Sequence, residues 1–143
     1  MRRCFSGKQR IVKRPGQVNE PRFLTQDEVF CIHVRSLAEN GGSEGTRDPG
    51  LIESALASAK NTFHYAHGDL FDIAASYAFH LAESQAFIDG NKRTAVTSAL
   101  VFLAMNGVYA KPPTWELYSA MIDIAEKKKT KIDLANIFRN ASQ

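Results

Sequence analysis

A chain of 143 residues, 44% of them hydrophobic and 23% charged, can bury one sizeable core and hardly two, so a single domain is expected. Its longest unbroken apolar run, Ala99 to Met105, falls far short of the roughly 20 residues that cross a bilayer, and no signal-peptide stretch follows Arg2 and Arg3, so a cytoplasmic protein without membrane contact is expected. The formal net charge of +3 is unevenly spread: residues 1–22 carry seven basic side chains against Glu20, which makes that stretch +6 and leaves −3 for the rest.

The basic stretch, residues 1–22, is read as an extension preceding a domain over 23–143. Such an arm can touch nucleic-acid phosphates, but its ordinary role is a solvated terminus or a short lead-in strand. The net-acidic remainder argues against nucleic acid as the partner. Cys4 and Cys31 are too few for a disulfide framework and match no zinc spacing, so both are read as thiols.

From Thr25 onward the punctuation predicts an all-α fold of about six helices. Thr25 and Glu28 form a capping box opening a helix that turns Val29, Phe30, Ile32 and Leu37 inward and stops at Gly41-Gly42. Asp48-Pro49 supplies N-cap and first residue of a second helix through Leu51, Ile52, Ala55, Leu56 and Ala59. The polar segment from Asn61 to Asp69 separates it from a third, which starts near Asp69 and runs to about Ser84 on the spacing of Leu70, Ile73, Ala74, Tyr77, Ala78 and Leu81. The fourth, Asn91 to about Asn106, is apolar nearly all round and is expected to be the buried central helix, with Gly107 just past its end. Pro112-Pro113 forces a rigid connection to a fifth helix capped by Thr114, and Thr130 with Asp133 opens a sixth. Lys127, Lys128 and Lys129 offset the partial negative charge where the fifth helix ends.

One link stands out, the polar, glycine-containing stretch between the two most apolar helices: Glu83-Ser84-Gln85-Ala86-Phe87-Ile88-Asp89-Gly90-Asn91-Lys92-Arg93. A helix start exposes unpaired backbone N–H groups and about half a positive charge, so a turn entering it favours an anion. Gly90 lacks the Cβ that would keep a ligand off the backbone. Lys92 and Arg93 oppose the helix dipole and cost stability there unless something anionic lies nearby. Asp89 would repel a phosphate directly but can hold a magnesium ion that bridges to phosphate oxygens. The structural alternative is that Asp89 N-caps the fourth helix while Lys92 and Arg93 point into solvent.

At these residues the sequence resembles the Fic/Doc (Fido) family, whose loop reads His-x-Phe-x-Asp/Glu-Gly/Ala-Asn-Gly/Lys-Arg: Phe87, Asp89, Gly90, Asn91, Lys92 and Arg93 match in order. The stretch from Gly41 to Leu51, the triplet Ser54-Ala55-Leu56 and the ending Phe102-Leu103-Ala104-Met105-Asn106-Gly107 resemble the death-on-curing branch, and the likeness runs over roughly residues 23–138. It implies a helical bundle around the central helix, a short hairpin flap near 61–68, and transfer of part of ATP, with Mg2+, to a hydroxyl of a protein target. AMP-transferring members carry Gly after the Asn and a second Arg three residues beyond the first. Here those positions are Lys92 and Val96, which resemble the phosphate-transferring toxins that modify a translation factor. Carried over residue by residue, Asp89 holds the metal, Gly90 and Asn91 cradle phosphate, and Lys92 and Arg93 neutralise charge developing in the transition state. The family also implies inhibition by a separate antitoxin helix, because no self-inhibitory Ser/Thr-x-x-x-Glu-Gly/Asn motif of the Fic type occurs in this chain.

One departure bears on activity. The family's general-base His is Gln85 here, and a carboxamide has no site that titrates in the useful range. Losing a general base costs about 10² to 10⁴ in rate. Positioning and phosphate electrostatics survive that loss, and Gln85 can still orient a hydroxyl. His80 is expected to face elsewhere, His64 and His67 to lie in the flap, and Glu83 to be solvated. Three readings follow: a phosphotransferase, an AMP transferase, or a nucleotide- or partner-binding relative that has lost catalysis.

Overall fold

The capping signals and apolar spacings become six helices in the computed structural model, which describes residues 20–142: α1 (Gln26–Asn40), α2 (Pro49–His64), α3 (Leu70–Ser84), α4 (Asn91–Met105), α5 (Thr114–Ala125) and α6 (Lys131–Asn140). The expected basic extension lies outside the described residues except for Glu20, Pro21 and Arg22, as does Cys4. Cys31, half-buried in α1, is disulfide-bonded, which corrects its reading as a thiol. The described residues contain two isolated bridges and no named strand, so the fold is all-α. None of their helices is long and apolar enough to cross a membrane.

Local chemistry sets the helix ends. Thr25 and Glu28 close a reciprocal capping box on α1, Asp69 and Asp72 do so on α3, and Thr130 and Asp133 on α6. Asp48 accepts from the Gly50 N–H at 2.9 Å to start α2. The α5 boundary differs by one residue from expectation: Pro113, with φ −57, takes the cap position, and its carbonyl accepts from Glu116 and Leu117. Thr114 is therefore the first helical residue, because the proline ring presets the backbone angle that a capping side chain would otherwise have to enforce.

The centre is shared by α3 and α4. α3 packs against α2, α4, α5 and α6, while α4 packs against α1, α3 and α5. Fully buried alanines, Ala74, Ala75 and Ala78 on α3 and Ala95 and Ala99 on α4, let the two backbones approach closely. Tyr77 and Phe102 pack ring to ring at 5.1 Å, and the Tyr77 hydroxyl accepts from the Leu24 N–H at 3.0 Å, which ties the lead-in of α1 to α3. That arrangement brings the end of α3, the end of α1 and the start of α4 together at one end of the bundle.

The flap expected near 61–68 is not formed. Residues 61–64 are the last turn of α2, because Thr62 hydrogen-bonds Ser58 and Ser76 and Phe63 packs edge-on against Phe23, giving that polar stretch helical partners. The extended segment that faces the α3–α4 turn is residues 41–48 instead. Thr46 bridges Phe87, the Arg47 N–H donates to the Ala86 carbonyl at 2.6 Å, and the Ile88 N–H donates to the Gly45 carbonyl at 3.1 Å.

Candidate functional site

Six residues, 85–90, reverse the chain between α3 and α4. Gln85 ends α3 in the left-handed region, φ 48 and ψ 44, a conformation that costs a residue with a Cβ roughly 1–2 kcal/mol. Gly90 precedes α4 with φ 76, where no such penalty applies. Between them Phe87 is buried and anchors the turn. Asn91 then clamps it: its Oδ1 accepts from the Phe87 N–H and its Nδ2 donates to the Phe87 carbonyl, both at 3.0 Å. The Asn91 side chain therefore holds the loop together, and what it offers a ligand is its backbone N–H.

Asp89 is not the N-cap of α4, which begins with no side-chain cap. Its carboxylate turns back along the loop, Oδ1 accepting from the Gly90 N–H at 2.8 Å and Oδ2 from the Ser43 N–H at 3.1 Å. Those two bonds, Ser43 first, hold its pKa below the ordinary aspartate value, and the Arg93 charge acts in the same direction. A side chain at position 42 could not coexist with this arrangement: a Cβ on Gly42 would stand 2.8 Å from Asp89 Oδ2, at a φ of +124. On the other side of the loop His33, from α1, stacks on Phe87 with ring centres 3.7 Å apart and contacts the Asp89 carbonyl through Nε2 at 2.8 Å.

The uncapped start of α4 opens into a cavity of about 550 Å³ lined by Gln85, Asp89, Gly90, Asn91, Lys92 and Arg93 together with the 40–42 turn and two apolar neighbours, Ala82 and Ile88. All six sequence-derived site residues thus face one space. Arg93 reaches across to donate to the Gly41 carbonyl at 2.9 Å, and its buried Nε has no partner. A second cavity, about 670 Å³, lies between α3 and the α5–α6 region, with Phe79, Met121 and Ile124 in its wall. The two share Ala82, Gln85 and Lys92, so Gln85 stands at their junction.

The donor set suits a magnesium ion carried by phosphate. Each Asp89 oxygen keeps a lone pair beyond its backbone bond, and one carboxylate plus substrate phosphates is a common Mg2+ arrangement. No group of three or more His, Cys, Asp or Glu among the described residues could hold a metal by itself. An ion here would need the ligand's own oxygens.

The other histidines are elsewhere. His80 Nε2 lies 3.1 Å from Lys131 Nζ on α6, and burial followed by that charge holds its pKa below the ordinary value. His64 pairs with Glu20 at 3.7 Å and packs on Phe23 and Phe63, toward the end of α2 farthest from the site. His67 follows the same helix end with φ 53. Glu83, exposed as expected, also borders the second cavity. Val96, where the AMP-transferring pattern has its second Arg, is buried at 4% exposed. Two contributors escaped the sequence reading: His33, which looks like one more inward residue of an amphipathic helix, and the 41–45 backbone, whose glycines signal a turn but not what it packs against.

A protein-family model described as the Fic/DOC family matches residues 23–103. The chain belongs to the Fic/DOC family. It is 36% identical over 88 residues to the protein kinase Doc of Escherichia phage P1, a match covering 61% of this chain and 70% of that one. It is 43% identical over 70 residues to the toxin Doc of Mycolicibacterium smegmatis, covering 48% and 54% respectively, about half of the relative's length. These relatives place the chain in the death-on-curing branch of the family.

Two outcomes follow from the loop's bonding. Asn91→Ala removes both clamps on Phe87 and is expected to lower stability by about 1–3 kcal/mol, read as a reduced urea midpoint with unchanged slope; an unaltered midpoint contradicts the clamp. Because the Asp89 pKa is depressed on folding, its contribution is complete above the unfolded value and is lost as pH falls through the lower folded value. The Ser43 and Gly90 amide resonances should therefore stay flat from about pH 8 to about pH 5 and move only below the ordinary aspartate value of about 3.9.

Proposed function

We propose that this Fic/Doc protein is a toxin-type transferase that moves the γ-phosphate of ATP to a hydroxyl of a protein target. The observation that carries the reading is the uncapped start of α4, opening on a cavity where Asp89, Lys92, Arg93 and Gln85 meet. The free N–H groups of the first turn, that of Asn91 foremost, receive phosphate oxygens, with Lys92 and Arg93 adding charge where the transition state develops it. Asp89 would hold Mg2+, which supplies charge neutralisation of the phosphates when bound. Gln85, at the junction of the two cavities, orients the target hydroxyl through its carboxamide and leaves proton removal to solvent or to the phosphate. A loose phosphoryl-transfer transition state tolerates that arrangement better than acyl transfer would.

Lys92 and Val96 in the first turns of α4, and the kinase name borne by the phage relative, support phosphate over AMP. A translation factor as target, a separate antitoxin helix as inhibitor and a cytoplasmic setting are part of the same proposal, in keeping with the toxin named among the relatives. One observation favours the AMP-transferring alternative. A nucleoside seated in the apolar second cavity would set its α-phosphate, rather than its γ-phosphate, beside Gln85.

Incubation of the protein with lysate and ATP labelled at either the γ or the α position separates these readings. Protein-bound γ label that needs Mg2+ and disappears with Arg93→Ala is expected; α label instead establishes AMP transfer, and neither establishes a binding protein without catalysis. The lost base gives a second outcome: Gln85→His should raise the labelling rate by roughly 10²-fold or more, and an equal or lower rate contradicts the role assigned to that position.

A further inference from the structure

We propose that His33 is a positioning residue that locks the Asp89–Gly90 peptide plane, and through it the Asp89 carboxylate, in the orientation the site needs. The inference rests on the functional reading above only for its consequence on ligand binding; the lock itself is a property of the empty protein.

A carbonyl oxygen only accepts, so the 2.8 Å contact between His33 Nε2 and the Asp89 carbonyl requires the proton on Nε2. The ring that donates it is buried and stacked. His33 is 4% exposed and lies nearly parallel to Phe87, at an interplanar angle of 10°, while Phe87 is itself clamped by Asn91. In a trans peptide the C=O and the following N–H point in opposite directions. With the Asp89 carbonyl drawn toward α1, the Gly90 N–H is turned the other way, and there it donates to Asp89 Oδ1 at 2.8 Å. One peptide plane thus transmits the His33 contact to one oxygen of the carboxylate, while Ser43 holds the other.

The lock is needed because of the glycine. Gly90, at φ 76, can pass between left- and right-handed backbone at little cost, so the plane before it rotates easily by compensating changes at Asp89 and Gly90. A flipped plane would release the Gly90 N–H from Oδ1 and aim the Asp89 carbonyl, a partial negative charge, toward the cavity where phosphate belongs. The glycine cannot readily be replaced to stop this, because its φ of +76 is one that side chains rarely adopt. Restraint has to come from outside the loop, and His33 supplies it.

Three measurements test this, two of them independent of any activity. In the wild-type protein the ring 15N shifts of His33 should report a protonated Nε2 at neutral pH; a bare Nε2 overturns the proposal, since two acceptors cannot bond. His33→Phe keeps the stacking partner and removes the donor. It should broaden or double the Gly90 and Ser43 amide resonances with the far-UV spectrum retained, and His33→Gln, which returns an amide N–H near the Nε2 position, should restore single resonances. Unchanged amides in His33→Phe overturn the lock. By calorimetry with Mg2+·ATP, His33→Phe should weaken binding by about 10- to 100-fold, the usual effect of losing a group that orients a metal's carboxylate, and His33→Gln should recover most of it. Wild-type binding that His33→Phe leaves intact overturns the positioning role. A wild-type protein that does not bind Mg2+·ATP overturns the functional reading instead, and the resonance measurements still decide the lock.

Discussion

The α3–α4 turn has to reverse the chain within six residues while leaving the amino end of α4 open, and the rest of the site depends on how its backbone groups find partners. Helix starts are usually closed by a side-chain oxygen. Here the candidate capping residue, Asp89, bonds Gly90 and Ser43 instead, and the first turn of α4 has no side-chain cap. The loop is stable in that form because the load is carried elsewhere: Asn91 clamps Phe87, the 45–48 backbone pairs with residues 86–88, and His33 takes the Asp89 carbonyl. Burial of Phe87 joins this polar network to the core.

The same geometry distributes the chemistry among the residues. Arg93 bridges to the carbonyl of Gly41 and so ties the end of α1 to the start of α4. Lys92 has no such duty and remains exposed at the border of both cavities. Gln85 occupies a left-handed position at that border, a conformation more costly than the helix it terminates. Strain of this kind gathers at functional sites, where surrounding structure holds a side chain against its own preference. The carboxamide of Gln85 can donate and accept hydrogen bonds there but has no site that titrates in the useful range.

Much of this is legible in the amino-acid sequence. The caps at Thr25, Asp48, Asp69 and Thr130 are local side-chain-to-backbone bonds, written in residues at most three apart, and they mark four of the six helix starts. The conflict of two cations and a glycine at the start of an apolar helix was likewise local, and it singled out Asp89 to Arg93. The flap that the family resemblance implied near 61–68 does not form, because this polar stretch begins as the last turn of α2, where Thr62 finds Ser76 on α3. Thr114 was misassigned for a smaller reason: proline presets the first-turn geometry by ring closure, leaving the threonine nothing to cap.

By itself, the sequence determined the helices, their order and the residues that gather at the start of α4, because those depend on contacts between near neighbours along the chain. Tertiary structure alone decided that Asp89 faces Ser43 rather than α4, that Asn91 closes on the loop, and that a histidine 56 residues away holds the loop's peptide plane. The Asp89 and His33 contacts span 46 and 56 residues of chain, a separation that hides them from any local pattern, while the Asn91 clamp on Phe87 depends on the path the turn takes between α3 and α4.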